Sequence, residues 1–291
     1  MKKKSSLRRS NRHVGSHIAL GVWCLVVFFP LWVLLIGSFK GKTEIYTNPF
    51  GPPGGWAEFG FLQEGAWRFS NYVDVFKGGS FLHYFKNSFL VVIVSLALVL
   101  LLGSLASYAL ANWITKFSRV LFFFFMAGMM LPIKIASIRL LELIKAMGLL
   151  DSPWGLVPIY VAMGLPISVF ILTDFIRQIP HELTEAALMD GAGRMRVLWQ
   201  VILPLLRPAL ATVGIYNLVP FWNDLWFPLI FITSEKSKTL LLGVTRLFGQ
   251  YQTDWPKVLA VLTLSALPVV ILYLLMSKQF IKGLTAGAVK G

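Results

Sequence analysis

Asn223 and Asp224 stand inside the apolar run "ATVGIYNLVPFWNDLWFPLIFI", residues 211–232, and an amide beside a carboxylate there calls for an explanation. In a run long enough to cross a bilayer, such groups are costly unless they bind something or find a partner. Two roles follow from the residues. The pair can meet a polar solute, or Asp224 can pair within the chain and hold the bends expected at Pro220 and Pro228. Tyr216, Asn217 and Trp222 share this run, and aromatic faces combined with amide hydrogen bonds suit a sugar. Lys134, beside Pro132 in a second run, would attract an acidic solute or reach the outer headgroups. Asn87 and Tyr108, with Ser88 and Ser107, are weaker solute contacts in a third run.

Other chemistry is missing from the sequence. His13, His17, His83 and His181 are scattered without metal-ligand spacing. Cys24 is the single cysteine, so an intrachain disulfide is excluded. "GSFKGKT", residues 37–43, is one residue short of a phosphate-binding loop and follows an apolar run rather than a strand. No Gly-x-Ser-x-Gly, His-Glu-x-x-His or glycine-rich dinucleotide loop occurs. The chain is expected to be no enzyme and to carry no cofactor or metal of its own.

The elements that must position these residues are apolar helices. Hydrophobic residues make up 56% of the chain and charged residues only 14%, against about 25% in soluble domains. Such a chain cannot cover a water-facing surface, and its charges cluster between long uncharged windows. Six spans are expected at about residues 18–37, 87–111, 120–137, 154–173, 209–232 and 258–277, the third weakened by Pro132 and Lys134. The fold class is therefore all-α membrane protein with six transmembrane helices. The net charge of +14 reflects basic residues flanking the spans and the tail Lys2, Lys3, Lys4, Arg8, Arg9 and Arg12, an anchoring pattern rather than a nucleic-acid surface. This tail, with Lys116, Arg119, Arg177, Arg194, Arg196 and Arg207 on the same side, places both termini in the cytoplasm by a thin margin. The first run is too long for a usual signal peptide and lacks a clear cleavage motif, so it is expected to remain as a span. The expected organisation is a basic tail (1–17), a membrane domain (18–277) with an outer loop (38–86) and a cytoplasmic loop (178–208), and a cytoplasmic tail (278–291). Within the outer loop, "RFSNYVDVF" predicts a short helix near the interface.

The cytoplasmic loop carries the strongest pattern. "HELTEAALMD" is rich in helix formers, with acids in its first turns, and follows Pro180, which suits a first helical position. Gly191 can turn the chain through a left-handed conformation. "RMRVLWQVIL" predicts a second short amphipathic helix, punctuated by Pro204 and Pro208. Physically this is either an amphipathic segment lying on lipid or a rigid two-helix knob docked into a partner.

"EAALMDGAGRMRVLWQVILPLLRP" resembles the EAA signature of permease subunits of bacterial ATP-binding-cassette importers, E-A-A-x-x-x-G followed by nine residues and I-x-L-P. Glu185, Ala186, Ala187, Gly191, Leu203 and Pro204 match, and Val201 replaces the usual isoleucine. "FWNDLWFPLIF" and the tail "QFIKGLTAGAVKG" are similar to segments of carbohydrate permeases of the maltose and glycerol-3-phosphate type, with Leu225 where phenylalanine is commoner. The resemblance implies an importer permease fold in which Glu185, Ala186, Ala187, Asp190, Gly191 and Ala192, with Leu203 and Pro204 behind them, form a coupling helix against a cytoplasmic ATPase. It also implies tail contacts to the ATPases at Gly283, Gly287 and Lys290. The expected partners are a second permease in a heterodimer, two ATP-binding subunits holding ATP and Mg, and a periplasmic solute-binding protein, all at the bacterial inner membrane. The expected cargo is a carbohydrate, with glycerol-3-phosphate or another anionic polyol or sugar acid as the alternative.

Overall fold

A computed structural model of the chain describes residues 3–247 and 253–288, with side chains at 14–57, 59–247 and 253–275. The described residues form helices and turns with no strand. The longer helices are α1 (Lys3–Gly37), α2 (Ser70–Lys77), α3 (Ser80–Asn112), α4 (Lys116–Met130), α5 (Ser137–Ala146) and α6 (Leu156–Arg177). They continue with α7 (His181–Met189), α8 (Arg194–Leu205), α9 (Arg207–Trp222), α10 (Trp226–Phe231), α11 (Leu240–Val244) and α12 (Trp255–Ala288). Four helices are long and apolar enough to cross a membrane, and six spans result if each of two bent pairs is one span.

The chain divides into two compact units, the first comprising Met1–Gly79 with Arg246–Leu264. Here the apolar stretch Val14–Gly37 of α1 leaves its large side chains mostly exposed. The loop after it is organised by Lys40, whose side chain is fully buried. Its Nζ donates to the Asn48 and Pro49 carbonyls, while Asn71 Nδ2 donates to the Ser38 and Lys40 carbonyls. Burial pushes the Lys40 ammonium below its usual range, partly opposed by the nearby Glu44 carboxylate. The short helix predicted in the outer loop is α2, and Asp74 on it pairs with Lys257 at 3.3 Å, near the start of α12.

The second unit comprises Ser80–Thr245 with Ser265–Gly291. Its axis is α3, 33 residues and about 50 Å long, packed along α6. Small residues permit the approach: a methyl added at Gly103 would stand 3.2 Å from Ser168 Cβ, and one at Gly164 only 2.9 Å from Val99 Cγ2. Helix α9 lies against both.

Two of the expected spans are not straight. Helix α4 stops at Met130 because Pro132 holds Leu131 extended (φ −81°, ψ 120°), and residues 133–146 leave at 82°. The run expected at 209–232 breaks at Asn223–Leu225, between α9 and α10, while α9 itself meets α8 at 77°. Pro228 is tolerated in α10 because it falls in the first turn, where no intrahelical donor is required.

Candidate functional site

The acidic and small residues of the loop 178–208 form a turn closed by backbone hydrogen bonds. At the end of α7 the Asp190 N–H donates to Ala186 O, Gly191 N–H to Leu188 O and Ala192 N–H to Ala187 O, each at 3.0 Å. Gly191 holds φ +81°, the left-handed state that this double closure requires. Pro180 stands one position earlier than expected, as the cap before His181. After the turn α8 widens to a π-turn over Leu198–Ile202, in which Leu203 N–H donates to Leu198 O. The wider turn precedes Pro204, whose ring cannot donate and crowds the carbonyl four residues back.

One side of this knob is anchored and the other is open. Val197, Leu198 and Ile202 are buried, whereas Leu183, Leu188, Met189, Met195 and Trp199 are exposed together with Glu185 and Asp190. The Arg194 guanidinium lies 5.1 Å from the Trp113 ring centroid, between α3 and α4, and Arg177 lies 5.4 Å from that of Phe122 on α4. An open apolar face rimmed by charge, on a backbone-closed turn, is suited to being gripped by another protein. Of the tail candidates, Lys290 lies outside the described residues, and Gly283 and Gly287 are described only as backbone of α12.

At the other end of α9, about 24 Å along a 16-residue helix, the two helix breaks bring a second set of side chains together. Asp224 closes the break: its Oδ1 accepts from Trp226 N–H (3.1 Å), and its Oδ2 accepts from Phe227 N–H (3.4 Å) and Tyr160 O–H (2.9 Å). Tyr160 stacks on Phe221 at 4.9 Å. Lys134, from the break after α4, has its Nζ 5.7 Å from the Trp226 ring centroid. Trp226 Nε1 donates to Ser137 Oγ, which donates to the Lys134 carbonyl.

The solute candidates therefore separate. Lys134, Asn223 and Asp224 gather at the breaks, with Lys134 and Asn223 exposed. Asn217 is buried, donating to Ser168 Oγ and Val213 O, and Trp222 Nε1 donates to Ser265 O. Asn87 Nδ2 donates to the Lys236 and Lys238 carbonyls. Tyr216 lies exposed on α9, and Tyr108 is buried within electrostatic reach of Arg194. Tyr160, Ser137 and Trp113 were missed, since nothing in an uncharged or interfacial residue of a separate run announces its distant partner. Trp226 lay within the quoted "FWNDLWFPLIF" and could have been singled out there.

A clamp outside the spans holds this end of the unit. Asp151, with φ +58°, accepts from Thr233 N–H (2.8 Å) and Ser234 N–H (2.7 Å) through Oδ1, and donates its own N–H to Phe231 O at 2.9 Å. The two amides hold its carboxyl below the ordinary carboxylate range.

Residues 99–284 match the family described as "Binding-protein-dependent transport system inner membrane component". The chain is 32% identical to the diacetylchitobiose uptake system permease protein NgcG of Streptomyces coelicolor, over 94% of this chain and 87% of that one. It is also 32% identical to the melibiose/raffinose/stachyose import permease protein MelC of Bacillus subtilis, over 91% and 92% of the two chains. Its fold is that of a chain in the crystal structure of a bacterial ABC transporter involved in the import of the acidic polysaccharide alginate, with a TM-score of 0.76 at 22% identity, covering 94% of this chain and 98% of that one.

Proposed function

The chain belongs to the binding-protein-dependent transport system inner membrane components, the permease subunits of ABC importers, and from that premise we propose that it forms half of the pathway through which a carbohydrate enters the cell. It is a membrane transport subunit rather than an enzyme. The cargo reaches it from a solute-binding protein outside. ATP and Mg belong to two cytoplasmic ATPase subunits, which grip the knob at residues 181–193. Sugar import by the relatives named above supports a carbohydrate cargo over glycerol-3-phosphate. Both termini and the knob then face the cytoplasm, and the loop 38–86 faces the outside. An apolar groove of about 770 Å³ between α3, α9 and α12, lined by Leu96, Leu100, Ile215, Leu218 and Val270, offers a face to the second permease of a heterodimer.

The observation that carries this reading is the knob itself. The closed turn at Gly191 makes α7 and α8 one stiff piece, and α8 runs into α9, which ends at the cluster around Asp224. A push on α7 by closing ATPases therefore reaches the membrane helices as rigid-body motion. Glu185, Ala186, Ala187, Asp190, Gly191 and Ala192 are the ATPase contact, with Leu203 and Pro204 forming its base.

Gly191→Pro tests the reading. Proline fixes φ near −65° and cannot adopt +81°, so the turn must reorganise. In proteoliposomes containing the whole transporter, stimulation of ATP hydrolysis by loaded binding protein and sugar uptake are both expected to fall at least tenfold. Undiminished uptake and hydrolysis would remove the coupling role.

A further inference from the structure

We propose that Lys134, Asp224 and Trp226 form a subsite for an uncharged sugar ring, in which neighbouring hydroxyls bridge the ammonium and the carboxylate beside the indole. This rests on the reading of the chain as a carbohydrate permease. It goes further by assigning the subsite to the paired helix breaks and by stating its charge preference.

Geometry carries the assignment. Broken helices place backbone and polar side chains where a continuous helix would show only apolar surface, and in secondary transporters such breaks hold the solute. Here two breaks from separate parts of the chain, at Leu131–Pro132 and Asn223–Leu225, converge on one spot. Trp226 is fixed by its Nε1 bond to Ser137 Oγ at 2.9 Å, yet 45% of it remains exposed. A rigid, half-open indole is a platform for the apolar face of a sugar ring.

The two charges complete the site. Asp224 spends part of its acceptor capacity on Tyr160 and on two backbone amides, and a carboxylate has about four acceptor positions in all. Lys134 is exposed, lies within electrostatic reach of Asp224, and makes no ion pair with any carboxylate among the described residues. An ammonium offers donors and no acceptor, whereas a carboxylate offers only acceptors. Adjacent sugar hydroxyls do both, so a diol satisfies the two groups at once. The pair also carries no net charge. An anionic sugar would gain from Lys134 and lose to Asp224, which reverses the expectation drawn from Lys134 alone.

The experiment uses proteoliposomes of the complete transporter with its binding protein and a panel of labelled maltotriose, raffinose, N,N′-diacetylchitobiose and trigalacturonate. The wild type is expected to carry a neutral member in preference to trigalacturonate. Lys134→Met and Trp226→Leu should each lower that uptake at least tenfold at sub-saturating sugar. Stimulation of ATP hydrolysis by loaded binding protein should stay within twofold, because the knob is untouched. Asp224→Asn, which removes the charge and keeps one acceptor oxygen of the two, should shift the trigalacturonate-to-neutral uptake ratio upward at least fivefold. Preference of the wild type for trigalacturonate, uptake of no neutral member, or unchanged uptake and ratio in these variants would overturn the subsite. Loss of binding-protein-stimulated hydrolysis in the wild type would instead remove the permease reading beneath it.

Discussion

At the scale of single residues, two buried or tethered charges outside the spans make separate demands. Lys40 fills the centre of the loop in the first unit and satisfies two carbonyls, which Lys40→Met would leave without a partner. The part-buried Asn48 carbonyl so orphaned costs about 1 kcal/mol, while Pro49 is exposed and its carbonyl can bind water, so the variant should lower the thermal midpoint of the purified protein by a few degrees. Lys40→Arg should recover part of the loss. Asp151 behaves oppositely with pH. Its folded carboxyl titrates below the unfolded one, so the unfolded chain takes up a proton first as the medium is acidified. The clamp's contribution is whole above the unfolded value of about 3.9 and is lost as pH falls through the folded value. Melting wild type and Asp151→Asn in detergent should give a difference that is constant between about pH 5 and 8 and shrinks below about pH 4. A difference independent of pH would show that the charge contributes nothing. Neither residue was legible beforehand: Lys40 read only as part of a false phosphate loop, and no pattern singled out Asp151.

At the scale of elements, the legible parts are those governed by local backbone chemistry. The turn at Gly191 was readable because only glycine enters the left-handed state cheaply, and its neighbours supply helix formers on both sides. The helix α2 was readable from aromatic and polar spacing, and the break after α4 was foreshadowed by Pro132. The break at Asn223–Leu225 was less so, because Asp224 read as an isolated charge until Tyr160 supplied its partner from α6. Contacts between elements were not readable at all. The Arg194–Trp113 contact ties the knob to the connection between α3 and α4, and no spacing rule links residues so far apart. If that contact passes motion from the knob into α3 and α4, Trp113→Leu should preserve ATP hydrolysis while lowering sugar taken up per ATP about threefold. Trp113→Phe, which keeps an aromatic face, should restore most of it. Equal losses of hydrolysis and uptake would mean the contact only stabilises the knob. Close packing gives a second test: Gly164→Val would press α6 into Val99 and Asn217, and should destabilise the unit by about 1–3 kcal/mol.

At the scale of the whole molecule, composition established a multi-span helical chain, and the structure makes the count of spans depend on how the bends are treated. A straight 20-residue helix was the template for reading the windows, whereas Pro132 breaks one of them and Asp224, accepting the Trp226 and Phe227 amides, caps the restart after the break in another, features that hydropathy does not record. The proposed orientation rests on the count of basic residues in the tail and the knob, a rule of charge distribution rather than of contacts. Because Cys24 is the single cysteine, Cys24→Ser gives a background in which one introduced thiol reports its own side. Thr47→Cys, exposed in the loop after α1, should react with an impermeant maleimide added to intact cells. Met189→Cys, 87% exposed at the end of α7, should react only after the membrane is permeabilised. Labelling of Met189→Cys in intact cells would place the knob outside, beyond the reach of any cytoplasmic ATPase. The coupling role would then fall even if every local feature of the turn were as described, because a rigid knob transmits force only from the side on which its partner lies.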